Sequence, residues 1–484
     1  MLDFLQKYQG ILLTLFGGLV AIFLLFIHNI SPGIEGGMDS YNHYLIAKNT
    51  WKHPELFLDQ WGKPIYNILA SPFAQFGIIG MVVLNIVSLL LCAYLAWAIA
   101  EILELKYAFI AFVLTLLSPI FLDNTISSLT EPLCALLVVV TIYLLIKNQL
   151  VAGAILAGFL PYARSEGFII LFVVALYIVI IKKQYWTFFY LLAGSIVFNI
   201  LGWIIEGEPL WVITQNPYIN FELSGRNVCG SGGLTHYFYA GHYTFGLITC
   251  ILLVIGCFAI LYNIMKKQRL KTVRKMSLII LSFALFFFSH IVIWWQGMMG
   301  SCGYVRVMVV IAPLAAIIGV YALNFIHNTI RRILPKRGHR LMTLGIIFIL
   351  MNALYVPYKY YNYKYPLSIS AEQEQYTKLA KWYKKKNFEK RTKLYLYPYF
   401  SLIADIDPYN QKEHLDLWAS SLQFTKKGDI LIWDSHFGPN ESGIPLNQLI
   451  TDKEWVEIKQ IIPTETIVTL NDAKFEIHVF EKIQ

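Results

Sequence analysis

The 484-residue sequence predicts a polytopic α-helical membrane protein of about eleven spans, followed by a small extracytoplasmic α/β domain. Three observations predict it. Hydrophobic residues make up 57% of the chain and charged residues 14%, against roughly 25% charged in soluble domains. Long apolar runs with almost no charge recur, and about 20 such residues cross a bilayer as a helix. The last stretch, 359–484, breaks the pattern and has ordinary charge content.

The first run, 11–29, lacks a small-residue cleavage site and is followed by Asn-Ile-Ser-Pro, so it reads as an uncleaved first span. A polar and aromatic segment then extends to about residue 75. Further spans are expected near 77–100, 107–122, 132–146, 150–163, 167–181, 186–205, 243–265, 276–295, 305–325 and 341–358. The membrane part thus covers 1–358, with a first outer loop of about 30–76 carrying interfacial helices, and the soluble part covers 359–484.

Lys and Arg in short loops set orientation. KKQRLKTVRK (266–275) and RRILPKRGHR (331–340) are strongly basic, and Lys147, Lys182 and Lys183 lie in other short loops. With the N-terminus in the cytoplasm, all of these fall on the cytoplasmic side. The opposite side receives the segment around Asp39, the loops 123–131 and 206–241, and the tail. A bacterial inner membrane is the expected location.

In the tail, AEQEQYTKLAKWYKKK reads as an amphipathic helix, and KLYLYP, GDILIWD, ETIVTL and FEIHVFEK read as short strands. No phosphate loop, nucleotide fingerprint or catalytic-triad motif occurs in it, so it reads as a cap or recognition domain.

Ionisable residues near the outer face are the candidates for chemistry. In MDSYNHY, Asp39 and His43 stand four apart and share a helix face. Asp39 reads either as a helix N-cap with His43 a solvated neighbour, or as a general base at the lipid–water boundary. Tyr41, Tyr44 and Trp51 suit the headgroup region. Asp59, in DQWGKPIY, reads as structural or as a substrate contact. Glu131 precedes Pro132 at the start of a span, where it reads either as an acid suited to the helix dipole or as a substrate-site residue. Arg164 and Glu166, in ARSEGF, form an Arg–Glu pair or bind substrate. Arg306 enters its span from the same side as Arg164, and arginine binds phosphate bidentately. The loop 206–241 and the residue after it, with Arg226, His236 and His242, form either a connector or a flap over a substrate. Cys229 and Cys302 both fall on the oxidising side, where they can form a disulfide. Cys92, Cys134, Cys250 and Cys257 lie within spans as small apolar residues.

These residues give the chain a family likeness. It resembles the GT-C class of integral-membrane glycosyltransferases, which use polyprenyl-phosphate sugars. That class includes protein O-mannosyltransferases, the lipid A aminoarabinose transferase and dolichyl-phosphate-mannose-dependent mannosyltransferases. Five features carry the likeness: an acid early in a long first outer loop (MDSYNHY), then DQWGKPIY, TEPLCALL, ARSEGF and RVMVVIAP. The likeness covers about the first 358 residues and is looser in the tail. It implies that Asp39 activates the acceptor and that Arg164 or Arg306 holds the lipid phosphate. Many members have two adjacent acids in the first loop, whereas Ser40 follows Asp39 here. No metal or other cofactor is therefore expected to be required.

The resemblance implies transfer of a sugar, hexosyl or mannosyl, from a polyprenyl-phosphate donor to a hydroxyl of a glycan, lipid or protein acceptor, with no nucleic-acid partner. The alternative is a transporter or flippase of a lipid-linked saccharide. Such proteins place polar residues near the midplane and carry internal repeats. Here the span interiors are nearly free of charge and no repeat between the two halves is evident.

Overall fold

The structure, a computed structural model, describes residues 2–217, 229–386, 388, 390–469 and 472–484. It divides into two compact units, one of residues 1–31 and 55–366, the other of residues 32–54 and 367–484. The division falls after Pro366, because the helix Gly338–Lys364 continues through the expected boundary at 358. The segment 32–54, expected within the membrane part, packs with the tail.

The first unit is helical and belongs to an integral membrane protein. Among the described residues, seven of its helices are long and apolar enough to cross a membrane: Tyr8–Ile30, Ile78–Ile102, Tyr185–Glu206, Leu247–Met265, Leu270–Gln296, Val305–Ile333 and Gly338–Lys359. Three shorter apolar helices, Glu131–Ile146, Leu150–Tyr162 and Gly167–Lys182, cover further expected spans. The run expected to span at 107–122 is instead two short helices, Phe109–Leu116 and Pro119–Thr125. Pro119 has no N–H to continue the first helix and fits the first turn of the second.

The helix Ala312–Ile333 sits at the centre of this unit. Ala312, Ala315, Ala316, Gly319 and Ala322 keep its surface flat, so backbones approach closely, as packing between membrane helices favours. Leu247–Met265 lies along it; a Cβ on Gly256 would stand 2.6 Å from the Ile318 carbonyl oxygen. A separate cluster joins Leu58, Tyr162, Phe198 and Trp211. Trp211 is fully buried because Gly202 leaves room for its ring.

In the second unit, the helix Gly37–Asn49 starts after Gly36, whose left-handed φ of 82° glycine adopts without strain. Asp39 therefore lies within the first turn and is not the N-cap. The expected exposure of its tyrosines is also revised. Tyr41, His43 and Tyr44 are buried, and the helix packs on Pro398–Ala404, with the Tyr41 and Tyr399 rings 5.0 Å apart. Of the expected headgroup residues Tyr41, Tyr44 and Trp51, only Trp51 is well exposed, at 63%.

The expected amphipathic helix forms at Ala371–Tyr383, closed by a capping box between Ser370 and Gln373. Five strands form one mixed sheet: β1 (Lys393–Tyr395), β2 (His414–Asp416), β3 (Ile430–Asp434), β4 (Trp455–Ile461) and β5 (Ile477–Lys482), in the order β2-β1-β3-β5-β4. The first three are parallel to one another, and β5 runs antiparallel to β3 and β4. The core joins Leu394, Leu431, Trp433, Leu449, Trp455 and Phe480. Among its described residues, ETIVTL contributes one isolated bridge, Val468 to Lys474, and no strand.

Candidate active site

The first unit gathers its charges where several helices begin or end. Glu131 opens the helix Glu131–Ile146, in the first turn where the helix dipole favours an anion, and is 1% exposed. Arg164, in the bend between Leu160–Tyr162 and Gly167–Leu176, approaches it: Nη1 lies 2.9 Å from Glu131 Oε1 and donates to Thr130 Oγ1 at 2.7 Å. The other edge of the guanidinium grips Glu166, through Nε at 3.2 Å and Nη2 at 2.8 Å. This fork geometry is the strong, orienting form of an ion pair.

Arg306 enters from the turn before Ala312–Ile333. Its Nε lies 3.3 Å from Glu131 Oε1, and its guanidinium covers the Tyr304 ring at 4.3 Å. Glu131 thus faces two arginines. Neither of its oxygens accepts an aligned hydrogen bond among the described residues, so charge holds the trio together. His290, on Leu270–Gln296, donates Nδ1–H to the Phe286 carbonyl and turns Nε2 toward Glu166 Oε1 at 3.8 Å. Burial opposes the charge on Glu166, but Arg164 and His290 together outweigh it and hold the carboxyl well below the usual range.

Lys63 and Asp59 adjoin this network. Lys63 is 6% exposed, donates to the Gln60 carbonyl at 2.8 Å, and adopts a left-handed φ of 70°. Burial lowers its pKa to about 8; Glu166 and Asp59 oppose the shift and Arg164 adds to it. Asp59 accepts from the Gly62 N–H, and burial raises its carboxyl above the usual range. The sequence reading includes Lys63 in DQWGKPIY but gives it no site role. Its one signal was the adjoining Pro64, which starts the helix Pro64–Ala74 and fixes where the lysine stands.

Two bonds fasten the loops around Arg306. Cys229 and Cys302 form a disulfide with Cα atoms 5.0 Å apart, and His236 Nε2 donates to the Gly303 carbonyl at 2.7 Å. His242 is exposed and donates Nδ1–H to the Tyr239 carbonyl at 2.8 Å; among the described residues no hydrogen bond or ion pair joins it to Arg164 or Arg306. Arg226 lies outside the described residues.

Asp39 belongs to the second unit. It is partly buried, and its charge reaches Glu441. Burial pushes the Glu441 carboxyl up, Asp434 and Asp39 add to the shift, and His436 opposes it. His436 pairs with Glu372 at 3.0 Å through Nδ1, and Asp434 accepts from Tyr376 at 2.7 Å. His43, the expected face-mate of Asp39, is buried rather than solvated.

No family model matches the sequence, and no curated protein matches it. Solved structures do. ArnT from Cupriavidus metallidurans bound to undecaprenyl phosphate aligns with a TM-score of 0.57 at 10% identity, over 96% of this chain and 97% of that one. The chain has the fold of ArnT. The apo state of ArnT aligns with a TM-score of 0.55 at 11% identity, over the same shares of both chains. The likeness to ArnT extends through the C-terminal sheet as well as the helices, since almost the whole of each chain is covered.

Proposed function

We propose that this chain is a glycosyltransferase that moves a sugar from a polyprenyl-phosphate donor to an acceptor hydroxyl on the extracytoplasmic face. The observation that carries the reading is the network of buried Glu131 with partly buried Arg164, Glu166 and Arg306 at helix ends, in a chain with the ArnT fold. The ArnT structure bound to undecaprenyl phosphate supports a lipid phosphate as the group those cations meet.

In this reading Asp39 takes the proton of the acceptor hydroxyl. The hydroxyl oxygen attacks the anomeric carbon, the bond from that carbon to the phosphate oxygen breaks, and polyprenyl phosphate leaves with the electron pair. Arg306 stabilises the departing phosphate. Arg164, occupied by Glu131, Glu166 and Thr130, acts as the positioning residue that keeps Glu131 and Arg306 in place. Glu131 holds Arg306 in the orientation that meets the phosphate.

The test is turnover by purified protein in detergent with a polyprenyl-phosphate sugar and a panel of hydroxyl acceptors. Sugar transfer with release of polyprenyl phosphate is expected. A transporter or flippase would leave the donor intact while moving it across a reconstituted bilayer, and that outcome would replace this reading.

A further inference from the structure

The opposite end of the helical unit holds a second concentration of charge. His327 lies 21 positions after Arg306 along Val305–Ile333, a rise of roughly 30 Å. Lys106 Nζ stands 2.8 Å from His327 Nε2, and Tyr107 hydroxyl stands 2.8 Å from His327 Nδ1. The Lys106 N–H also donates to Asn324 Oδ1 at 3.5 Å, which fastens the loop to the helix. His327 is 5% exposed, while Lys106, Arg331 and Arg269 face outward.

Acids do not balance this cluster. Among the described residues no carboxylate pairs with Lys106, His327, Arg331 or Arg269. Glu101 accepts from Trp97 and Gln9 instead, and Glu104, two residues before Lys106, is exposed and pairs with none of these cations among the described residues. The loops 266–275 and 331–340 together carry eleven Lys or Arg and no Asp or Glu. Burial lowers the Lys106 pKa, and Arg331 and Arg269 lower it further, as uncompensated positive charge requires. Exposed Leu270, Ile333 and Leu334 interleave with the basic residues. That mixture suits the boundary between headgroups and acyl chains, where basic residues meet lipid phosphates and apolar side chains remain in hydrocarbon.

We propose that Lys106, His327, Tyr107, Arg331 and Arg269 form a binding site for the phosphodiester headgroup of an anionic phospholipid, at the membrane face opposite Arg164 and Arg306. The phosphate accepts from Lys106 and the two arginines, and the exposed leucines and isoleucine receive the start of an acyl chain. The site does not depend on the proposed transferase activity.

The experiment is a native mass spectrometry titration of the full-length protein in neutral detergent with phosphatidylglycerol, phosphatidylcholine or inorganic phosphate. Phosphatidylglycerol is expected to bind and phosphatidylcholine is not. Removing a basic residue at a lipid surface weakens binding about fivefold, so Lys106→Gln with Arg331→Gln is expected to lose about 25-fold. The pair Lys106→Arg with Arg331→Lys retains binding, and an unchanged lipid-free melting temperature shows that each variant is folded. Equal affinity of the neutralised variant for phosphatidylglycerol overturns the site. Full competition by inorganic phosphate at equal concentration overturns the lipid assignment.

Discussion

Arg164 Nη1 stands 2.9 Å from Oε1 of Glu131, a carboxylate that is 1% exposed. Burying an acid this deeply is unfavourable without a partner, and here the partner comes from a bend 33 residues further along the chain. Removing one member of a buried pair costs about 3–5 kcal/mol, because the other charge is left behind. Arg164→Ala is therefore expected to lower the melting temperature in detergent by many degrees. Arg164→Met with Glu131→Met is expected to recover part of the loss, since the charge left behind at Glu131 goes while Glu166 and Arg306 each still lose a partner. A thermal-shift series of the three proteins checks this; equal loss in the double and single variants would mean the pair is not what stabilises the bend.

Lys63 gives a pH dependence whose sign follows from its shift. Its folded value, about 8, lies below the ordinary 10.5. Between those two pH values the unfolded chain holds a proton that the folded chain has released, so stability rises with pH through that window. Lys63→Met removes this contribution. Melting temperatures of both proteins from pH 7.5 to 10.5 are expected to diverge, with the wild type gaining relative to the variant. Parallel curves would show that Lys63 keeps its proton in the folded protein.

The Cys229–Cys302 disulfide closes a sequence separation of 73 residues. By the loop-entropy argument such a link is worth about 4 kcal/mol, and helix packing of the intervening chain reduces that. Cys229→Ser with Cys302→Ser is expected to lower the melting temperature by several degrees, and dithiothreitol is expected to do the same to the wild type. If dithiothreitol lowers the double variant equally, the effect does not come from this bond.

In the sheet-containing unit, burial lowers the pKa of His436, but its hydrogen bond and charge contact with Glu372 outweigh burial and raise it above 6.5. The stabilisation is present in full below pH 6.5 and is lost as pH rises through the higher folded value. Glu372→Gln removes it. The gap in melting temperature between wild type and variant is expected to be large at pH 5.5 and small at pH 8.5, and a gap of the reverse order would contradict the pairing.

The long spans were legible because hydropathy over some 20 residues is a strong signal. The break at Pro119 was also visible as Ser-Pro, yet the apolar residues on both sides made one run of it. Helix Gly37–Asn49 was placed at the membrane interface because its tyrosines resemble an aromatic belt; sequence does not say that Tyr399 waits to pack on Tyr41. Strand β4 was missed because Trp455 and Ile461 enclose mostly polar residues, as an edge strand allows. Of the site, the charges Glu131, Arg164, Glu166 and Arg306 were legible as outer-face ions. The Arg164–Glu166 pair was one of the two readings of ARSEGF, but the meeting of Arg164 and Arg306 on Glu131 was not legible, because it depends on how three separate segments converge. The burial of Lys63 was hidden for the same reason.

The central claim is tested most directly by comparing wild type with Asp39→Asn in one assay: release of polyprenyl phosphate from a polyprenyl-phosphate sugar by purified protein with acceptor present. A positioned general base contributes about 10²–10⁴-fold in rate. The account predicts a loss of that size in the variant, with donor binding and melting temperature unchanged. Release by Asp39→Asn at the wild-type rate would contradict it.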